Sequence, residues 1–453
     1  MLDVGSFRAA SCGGMSRRAF LRAGLSVPAA LGLSSLTGVV AANPPKARSV
    51  LVVWLWGGPS HLESFDPKPA APLEYRGPYS PIATANSGLR ICELFPLLAA
   101  RAAKYSVIRS MNHESNDHGI AGTISLTGSI QGARSLGGVN MPGQVLSTHG
   151  STVSKVEGVH PSVPRFVTIG KKLYQGPQYI TGDEGGAVGP IHDPFRVNYV
   201  PAKGVELPDF RLIDGVTADG LSHRRKLLER FDQLTRLTES SAPARRLDAF
   251  YDRAIALLTS PETRGVFDVD REPVKLRNKY GRHHFGQCCL MARRLVEADV
   301  RFVQVNWSSH VEGAEDGGDW GWDMHDRYFQ IFQDRHSWQL DQAMSTLLDD
   351  LEERGLLEQT VVVAVGEFGR TPRINPKAGR DHWNSCYSAV VAGGGFTPGL
   401  VIGSSDARAE YPLSRPIKPA DLFTTVLNQV GVTTTRLTSV GLTPLGQVIE
   451  ELT

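Results

Sequence analysis

The sequence predicts an α/β fold, in which one large domain has a mostly parallel central sheet with helices on both faces. Short apolar runs without polar alternation are typical of strands that are buried on both faces. Such runs begin near Ser49, Tyr105, Val300, Thr360 and Cys386. Segments with apolar residues at helical spacing separate these runs, and this alternation favours a parallel sheet that is covered by helices.

The clearest strand is Thr360–Val365, and it predicts the place of the functional site. The helix before this strand carries apolar residues at helical spacing and ends at Gly355. Glu367 follows the strand, and His382 comes back after a loop that contains glycine and proline. Because ligands of open α/β sheets lie beyond the carboxyl ends of the strands, Glu367 is placed where chemistry is expected.

The first two strands have polar residues at their exits. The first, predicted over Ser49–Trp56, leads into the tight exit Gly57-Gly58. A helix over Leu94–Lys104 precedes the second strand, Tyr105–Arg109. The loop after it contains two histidines and two acids, and this density favours a functional loop over a solvated polar one. These residues are His113, Glu114, Asp117 and His118.

The middle of the chain is less regular. Residues 129–215 are rich in glycine and proline and predict a cover or an insertion, with Arg165–Ile169 as a candidate strand. Helices are predicted within 221–259 and over Tyr280–Ala298. His283 and His284 are adjacent and would point in different directions on a helix, so we interpret them as helix-start residues and not as a metal pair.

A third core strand is predicted over Val300–Trp307, and the loop after it ends in Asp323 and His325. A carboxylate and an imidazole in one loop, held by flanking tryptophans, suit zinc, manganese or a similar divalent ion. The alternative is an aromatic-rich surface loop. A last strand over Cys386–Ala392 and a helix over Pro419–Val430 complete the prediction.

The segment that contains Glu367 resembles the sulfatase and alkaline-phosphatase superfamily, where a helix and an apolar strand lead into an Asp-His-Gly motif. The motifs GEFGRTP and GRDHW are similar to those of the DUF1501 family, a branch of that superfamily. The resemblance implies an alkaline-phosphatase-like fold with a metal centre. It aligns Glu367, Phe368 and Gly369 with the three residues of the Asp-His-Gly motif, in which the Asp and the His bind metal.

The resemblance also gives roles to earlier residues. Counting back from Leu126-Thr127-Gly128 puts His118 at the nucleophile position, although the proline and arginine of that motif are absent. His118 is therefore a candidate metal ligand, nucleophile or general base. Asp323 and His325 match an Asp and a His that bind metal. His382 is expected to replace the missing histidine at Phe368, with Asp381 orienting it.

Two further candidates are less determined. No acid follows the first strand directly, so the ligand there is sought among Ser60, His61, Glu63 and Asp66. We favour His61, and a loop-stabilising histidine is the alternative. Arg370 is expected to neutralise the anionic group of a substrate.

The composition excludes several classes of partner. The 453 residues carry a net charge of +2, which gives no argument for binding nucleic acid or an anionic membrane surface. Five cysteines form neither a disulfide framework nor a CxxC metal motif.

The N-terminus predicts a twin-arginine signal peptide over residues 1–45. Arg17 and Arg18 precede an Ala-, Leu- and Val-rich stretch that ends in small residues at Val40-Ala41-Ala42. The stretch contains several serines and glycines, which makes a permanent membrane helix the weaker alternative. The mature domain is then 46–453, located in the periplasm or secreted, with no stable membrane span after cleavage.

We therefore expect an exported, metal-dependent hydrolase of a phosphate or sulfate ester, carried by a small molecule or by a sulfated or phosphorylated polymer. The catalytic candidates are His118 and Arg370, and the divalent ion could be zinc, manganese or calcium. The metal-ligand candidates are His61, His118, Asp323, His325, Glu367 and His382. The alternative is a non-catalytic relative that binds a ligand or partner. The sequence does not determine the substrate or the oligomeric state.

Overall fold

A nine-stranded sheet lies at the centre of the part of the chain that the structure describes. The structure, a computed structural model, describes residues 45–158, 160, 163–206, 265–311 and 321–453. Residues 1–44 of the predicted leader and the predicted helices of 221–259 lie outside the described residues.

The strands of the described residues comprise those of the main sheet and several that form two-stranded ribbons. In chain order they are β1 (Ser49–Trp54), β2 (Pro81–Ala83), β3 (Arg90–Cys92), β4 (Tyr105–Met111), β5 (Phe166–Ile169), β6 (Tyr174–Gln175), β7 (Gln178–Tyr179), β8 (Phe195–Val200), β9 (Gly204–Glu206), β10 (Phe302–Asn306), β11 (Thr360–Val365), β12 (Gly369–Arg370), β13 (His382–Trp383), β14 (Tyr387–Ala392), β15 (Val401–Ile402), β16 (Ser404–Ser405) and β17 (Pro412–Ser414).

The helices connect these strands, and a π-helix over Phe332–His336 lies between the seventh and eighth α-helices. The α-helices are α1 (Leu73–Arg76), α2 (Pro96–Ala99), α3 (His118–Thr127), α4 (His149–Glu157), α5 (Val274–Tyr280), α6 (His284–Glu297), α7 (Tyr328–Ile331), α8 (Ser337–Glu353), α9 (Pro419–Gln429) and α10 (Thr434–Ser439). Short 3-10 helices occupy Gly186–Val188, Pro190–His192, Val269–Arg271, Leu357–Gln359 and Glu450–Leu452.

The order of strands in the main sheet is β15-β4-β14-β11-β1-β10-β5-β8-β9. The central strands β11, β1, β10, β5 and β8 are parallel to one another, and β14 and β9 run in the opposite direction. The sheet is therefore mostly parallel, and the carboxyl ends of its parallel strands lie along one edge.

Two apolar cores cover the two faces of this sheet. Along β1, Leu51 and Val53 belong to the core that also contains α6 and α8. Val50 and Val52 face the other core, which contains residues of α3, α4, α9 and α10. All six residues of β11 are buried, as expected for a strand between two helical layers. The predicted fold class is thus confirmed.

Three parts of the sequence prediction differ from the structure. The strand predicted over Cys386–Ala392 is present as β14, but it is antiparallel to both neighbours. Residues 129–215 were predicted as a cover or an insertion, and their described part is more than a cover, because β5, β8 and β9 extend the main sheet. The helix predicted over Tyr280–Ala298 begins only at His284, since Gly281 at φ +95° separates it from α5. His283 caps the start of this helix, as expected.

No helix within the described residues is both long and apolar enough to cross a membrane.

Candidate metal centre

Polar side chains from three strand exits and from the short strand β13 meet at the carboxyl edge of the sheet. His118 is the first residue of α3, directly after the loop that leaves β4. Glu367 follows β11, and Asp323 and His325 lie in the segment between β10 and α7. His382 is in β13, which pairs with β12 so that His382 lies opposite Arg370. Because of this pairing, the loop that follows β11 folds back, and His382 lies near the carboxyl end of β11.

The three histidines of this group each direct Nδ1 toward an oxygen atom. Nδ1 of His118 lies 2.7 Å from Oε1 of Glu367. Nδ1 of His325 lies 2.7 Å from Oδ1 of Asp381, and Nδ1 of His382 lies 2.7 Å from the carbonyl oxygen of Asn116. Because carboxylate and carbonyl oxygens only accept here, each Nδ1 carries a proton, and in the neutral ring Nε2 keeps its lone pair.

The Nε2 atoms of the same histidines converge on one carboxylate, that of Asp323. Its Oδ1 lies 2.9 Å from Nε2 of His325 and 3.1 Å from Nε2 of His382, and its Oδ2 lies 3.3 Å from Nε2 of His118. Nε2 of His325 and Nε2 of His382 are only 2.9 Å apart. Lone pairs at these distances would repel one another and the carboxylate, so the arrangement is stabilised by a bound cation or by protons on the imidazoles.

A divalent transition ion fits this donor set. Nε2 of His118 is buried without a hydrogen-bond partner in the described part of the chain. One ligand atom each from His118, Asp323 and His382 lies within 4.8 Å of the others, which is the spacing that a single ion can span. Imidazole nitrogens with one carboxylate favour zinc, manganese or a related ion over calcium, which prefers oxygen ligands.

Glu367 is placed beside the centre and not in it. Its fully buried carboxylate accepts a hydrogen bond of 2.9 Å from the backbone N–H of Gly57 and contacts Nδ1 of His118. Glu367 was predicted to bind the metal directly. In this geometry it instead contacts a ligand histidine from behind and fixes the tautomer of His118. Gly57 has φ +106°, and a Cβ there would lie 2.5 Å from the backbone nitrogen of Asp323.

Arg370 is buried against the centre. Its Nη1 lies 2.6 Å from Oδ1 of Asp323, and the guanidinium also donates to the carbonyl oxygens of Gly57, Gly58 and Arg380. The side chain is fully buried. It orients Asp323 and is not positioned to meet a substrate, in contrast to the role expected from the sequence.

The charges of this group shift the pKa values of its members. Burial alone raises the pKa of Asp323, but Arg370 and His118 hold it well below its usual range. Burial lowers the pKa of His118, yet Asp323 and Glu367 outweigh burial and raise it to about 9. Burial lowers the pKa of His382 to about 4. The hydrogen bond with Asp323 also raises the pKa of His325. Without a metal, protonated imidazoles around Asp323 therefore stabilise the group.

His61 lies elsewhere. Its Nε2 is 2.8 Å from the carbonyl oxygen of Ala409, the side chain is fully buried, and burial lowers its pKa to about 4. This is the loop-stabilising arrangement that the sequence left as the alternative. Asp381 also differs from expectation, because it contacts His325 and not His382.

Aromatic rings enclose the buried side of the centre. The ring of Phe368 lies 4.7 Å from that of His118 and 4.8 Å from that of His382, between ring centroids. Trp56 contacts His118 from β1's exit at 5.5 Å. Phe368 therefore takes no part in binding a metal. Its ring packs against the imidazoles of His118 and His382 and excludes water from that side of them.

Some residues of the site were not predicted. The carbonyl oxygen of Asn116 and the N–H of Gly57 are backbone groups, which sequence patterns do not report. His336 of the π-helix contacts the carbonyl oxygen of Gly321 at 2.9 Å and packs on Trp322, next to Asp323. A π-helix is often found at functional sites, but its sequence is that of an ordinary helix.

The centre opens to solvent at one side. The side chains of His325 and Asp381 are 42% and 54% exposed, whereas His118 is inaccessible. Arg327 and Lys377 are exposed, and the N–H of Arg327 donates to the carbonyl oxygen of Lys377 beside this opening. Arg327 pairs with the exposed Asp326, and Asp381 is also exposed there, so the opening carries charges of both signs.

Comparisons with known proteins were made for family and fold. The family model described as "Protein of unknown function (DUF1501)" matches residues 47–449. No curated protein sequence matches the chain.

The solved structures that are similar to it include these three. Ps i-CgsB, solved in complex with k-i-k-neocarrahexaose, is 11% identical with a TM-score of 0.40, covering 89% of this chain and 75% of that one. PsFucS1 sulfatase from Pseudoalteromonas sp. is 12% identical with a TM-score of 0.36, covering 94% and 72%. Phosphonate monoester hydrolase SpPMH from Silicibacter pomeroyi is 11% identical with a TM-score of 0.36, covering 89% and 76%.

Proposed function

The chain belongs to the DUF1501 family, and from its candidate metal centre we propose that it is a metal-dependent hydrolase of a phosphate or sulfate ester. One observation carries this proposal: three imidazole Nε2 atoms converge on the Asp323 carboxylate while every Nδ1 is held by an oxygen. This is the arrangement of metal-binding histidines with outer partners.

We assign His118, Asp323, His325 and His382 as the residues that would hold the ion, and zinc or manganese as the ions that suit them best. A bound ion of this kind polarises an ester oxygen and lowers the pKa of a water molecule at the site. Glu367 and Asp381 fix the tautomers of two of the ligands, and Arg370 fixes the carboxylate.

Water is the nucleophile that fits this arrangement. His118 occupies the position where the superfamily resemblance implies a nucleophile, but it is fully buried and its Nδ1 is held by Glu367. We therefore assign it as a ligand. The oxygen of water bonds to phosphorus or sulfur, the bond to the alcohol oxygen breaks, and the proton lost from water ends on the departing alcohol.

The alternative is a non-catalytic member that binds a ligand or partner, and the absence of a side-chain nucleophile at position 118 favours it. An activity assay distinguishes the hydrolase from the non-catalytic alternative. It uses protein that is purified without chelator and loaded with zinc or manganese. We expect hydrolysis of at least one class among aryl phosphate monoesters, aryl phosphodiesters and aryl sulfates, and loss of that activity on dialysis against chelator. Stoichiometric metal without turnover of any of the three would support the alternative.

We also propose export of the folded domain, because Arg17 and Arg18 precede an apolar stretch of moderate hydropathy. The twin-arginine route would deliver residues 46–453 to the periplasm or the medium with the metal loaded. A variant with Arg17→Lys and Arg18→Lys should remain in the cytoplasm, and its normal export would contradict this route.

A further inference from the structure

A second cavity opens at the carboxyl edge of the sheet and shares no residue with the candidate metal centre. It lies beyond the ends of β5, β8 and β10, which are parallel neighbours, and its volume is about 560 Å³. Small-molecule sites have volumes of about 300–1,000 Å³ and often lie beyond strand ends of this kind. We call it the basic cavity, and its polar and charged lining includes Lys171, Asn198, His283, His284, His310 and Arg335.

Hydrogen bonds between two loops fix one side of the basic cavity. The backbone N–H of Lys171 donates to Oγ of Ser309 at 3.1 Å, and that of Tyr174 donates to the carbonyl oxygen of Ser309 at 2.9 Å. Nδ2 of Asn306 donates to the carbonyl oxygen of Lys171 at 3.2 Å. The loops after β5 and β10 are thus joined, so a ligand would bind without a large cost for ordering them.

Packed aromatic rings form another side of the basic cavity and separate it from the segment of Asp323. The ring of Trp307 lies 4.3 Å from that of Phe285 and 5.2 Å from that of His336, between ring centroids. His336 in turn packs on Trp322, which precedes Asp323. Because Phe285 and Trp307 line the cavity, it has an apolar side that suits an organic group.

The charge of the basic cavity favours an anion. Lys171 is exposed, and its ammonium group forms no salt bridge within the part of the chain that the structure describes. Burial lowers the pKa of His283 to about 4, and the charges of His284 and Arg335 add to this effect, which places positive charge around His283. The positive end of the α6 dipole, at His284, adds to the same field.

One carboxylate lies at the rim of the basic cavity. Oε2 of Glu206 accepts a hydrogen bond of 3.1 Å from Nδ2 of Asn198, and Oε1 lies 3.6 Å from Nζ of Lys203. The hydrogen bond from Asn198 and the charges of Lys203 and Lys171 lower the pKa of Glu206. Two lysines thus face one carboxylate, so this side of the cavity keeps a net positive charge that attracts an anion.

We propose that the basic cavity binds a small organic molecule through a tetrahedral oxyanion, a phosphate or sulfate group, at a site distinct from the metal centre. The positive groups come from the loop after β5, the start of α6 and the π-helix, so they approach from different directions. This arrangement suits a tetrahedral group better than a planar carboxylate. Lys171 and Arg335 pair with the oxyanion, and the organic part packs beside Phe285 and Trp307.

Ligand binding to the full chain after dialysis against chelator tests the basic cavity without any contribution from a bound metal. Isothermal titration at low ionic strength would compare phenyl phosphate, phenyl sulfate, benzoate and phenol. We expect at least one of the two esters to bind more tightly than benzoate, and phenol not to bind. Lys171→Ala and Arg335→Ala should each weaken ester binding about tenfold, the effect of one hydrogen bond to a charged group, whereas Lys171→Arg should retain it.

The matched control is Lys172→Ala, which removes the neighbouring lysine. Its Nζ lies 2.8 Å from Oε1 of Glu184, and it does not line the cavity. This variant should bind the ester as the wild type does, and Lys171→Ala should retain the wild-type melting temperature because Lys171 is exposed.

Four results would each overturn the proposal: no binding of either ester, equal binding by Lys171→Ala and the wild type, an equal loss in Lys172→Ala, or benzoate binding as tight as that of the esters. Because the titration involves neither metal nor turnover, its outcome is independent of the hydrolase function proposed above.

Discussion

Replacing Asp323 with asparagine is expected to weaken metal binding by more than about 100-fold, because even outer partners of metal ligands typically contribute 10–100-fold. Asp323 is the one carboxylate that all three Nε2 atoms approach, and its charge balances the ion. Isothermal titration of the metal-free variant with zinc would measure the loss.

The same substitution should also lower stability, because it leaves the fully buried Arg370 without its carboxylate. Breaking a buried ion pair costs about 3–5 kcal/mol, so urea denaturation of the metal-free variant should show a loss of this order. Asp323 is thus expected to contribute to the stability of the fold through Arg370, in addition to binding the metal.

A matched control separates the two effects. Asp350 is another buried aspartate, and its Oδ2 lies 2.9 Å from Nε of the fully buried Arg293. Asp350→Asn should destabilise the protein in the same way and yet bind zinc as the wild type does. Equal zinc affinity in Asp323→Asn and Asp350→Asn would contradict the assignment of Asp323 as a ligand.

Replacing Glu367 with glutamine is expected to weaken zinc binding by about 10–100-fold, the range for a partner that orients a ligand histidine. The amide oxygen can still accept from the N–H of Gly57 and from Nδ1 of His118, so the fold should be retained. Glu272→Gln is the control, since Glu272 pairs with Arg293 at 2.8 Å in a separate buried group. If Glu367→Gln lost as much zinc affinity as Asp323→Asn, Glu367 would bind the ion directly.

The Glu367 variant also has a consequence for pH. In the metal-free protein the pKa of His118 is raised from 6.5 to about 9, so its proton stabilises the folded state below pH 6.5. This contribution is lost as the pH rises through about 9. Glu367→Gln removes one of the carboxylates that raise the pKa, so the decline in stability between these pH values should become smaller, as measured by denaturation at a series of pH values.

The fold was largely predictable because its central strands are buried on both faces. β11 was predicted with its observed bounds, since six consecutive residues of β-branched or small apolar type leave no helical alternative. The antiparallel direction of β14 was not predictable, because an apolar run carries no information about direction. β5 was predicted as a candidate strand, but the short strands β8 and β9 were missed, since they lie in a glycine- and proline-rich segment.

The candidate site was predictable as a set of side chains but not as a set of roles. Chain order placed His118, Asp323, His325, Glu367 and His382 at strand exits that meet at one edge. Which nitrogen of a histidine faces a metal depends on its other partner, and one such partner is a backbone carbonyl. Spacing along the sequence therefore could not show that Glu367 lies behind His118, nor that His61 supports another loop.

The central claim is tested most directly by anomalous diffraction from crystals of the zinc-loaded protein, recorded on both sides of the zinc absorption edge. The account predicts one ion at about 2.0–2.2 Å from the carboxylate of Asp323 and from the Nε2 atoms of three histidines, His118, His325 and His382. Glu367 should then contact Nδ1 of His118 and make no bond to the ion. An anomalous peak at His61, an ion bound directly by Glu367, or no peak among these residues would contradict it.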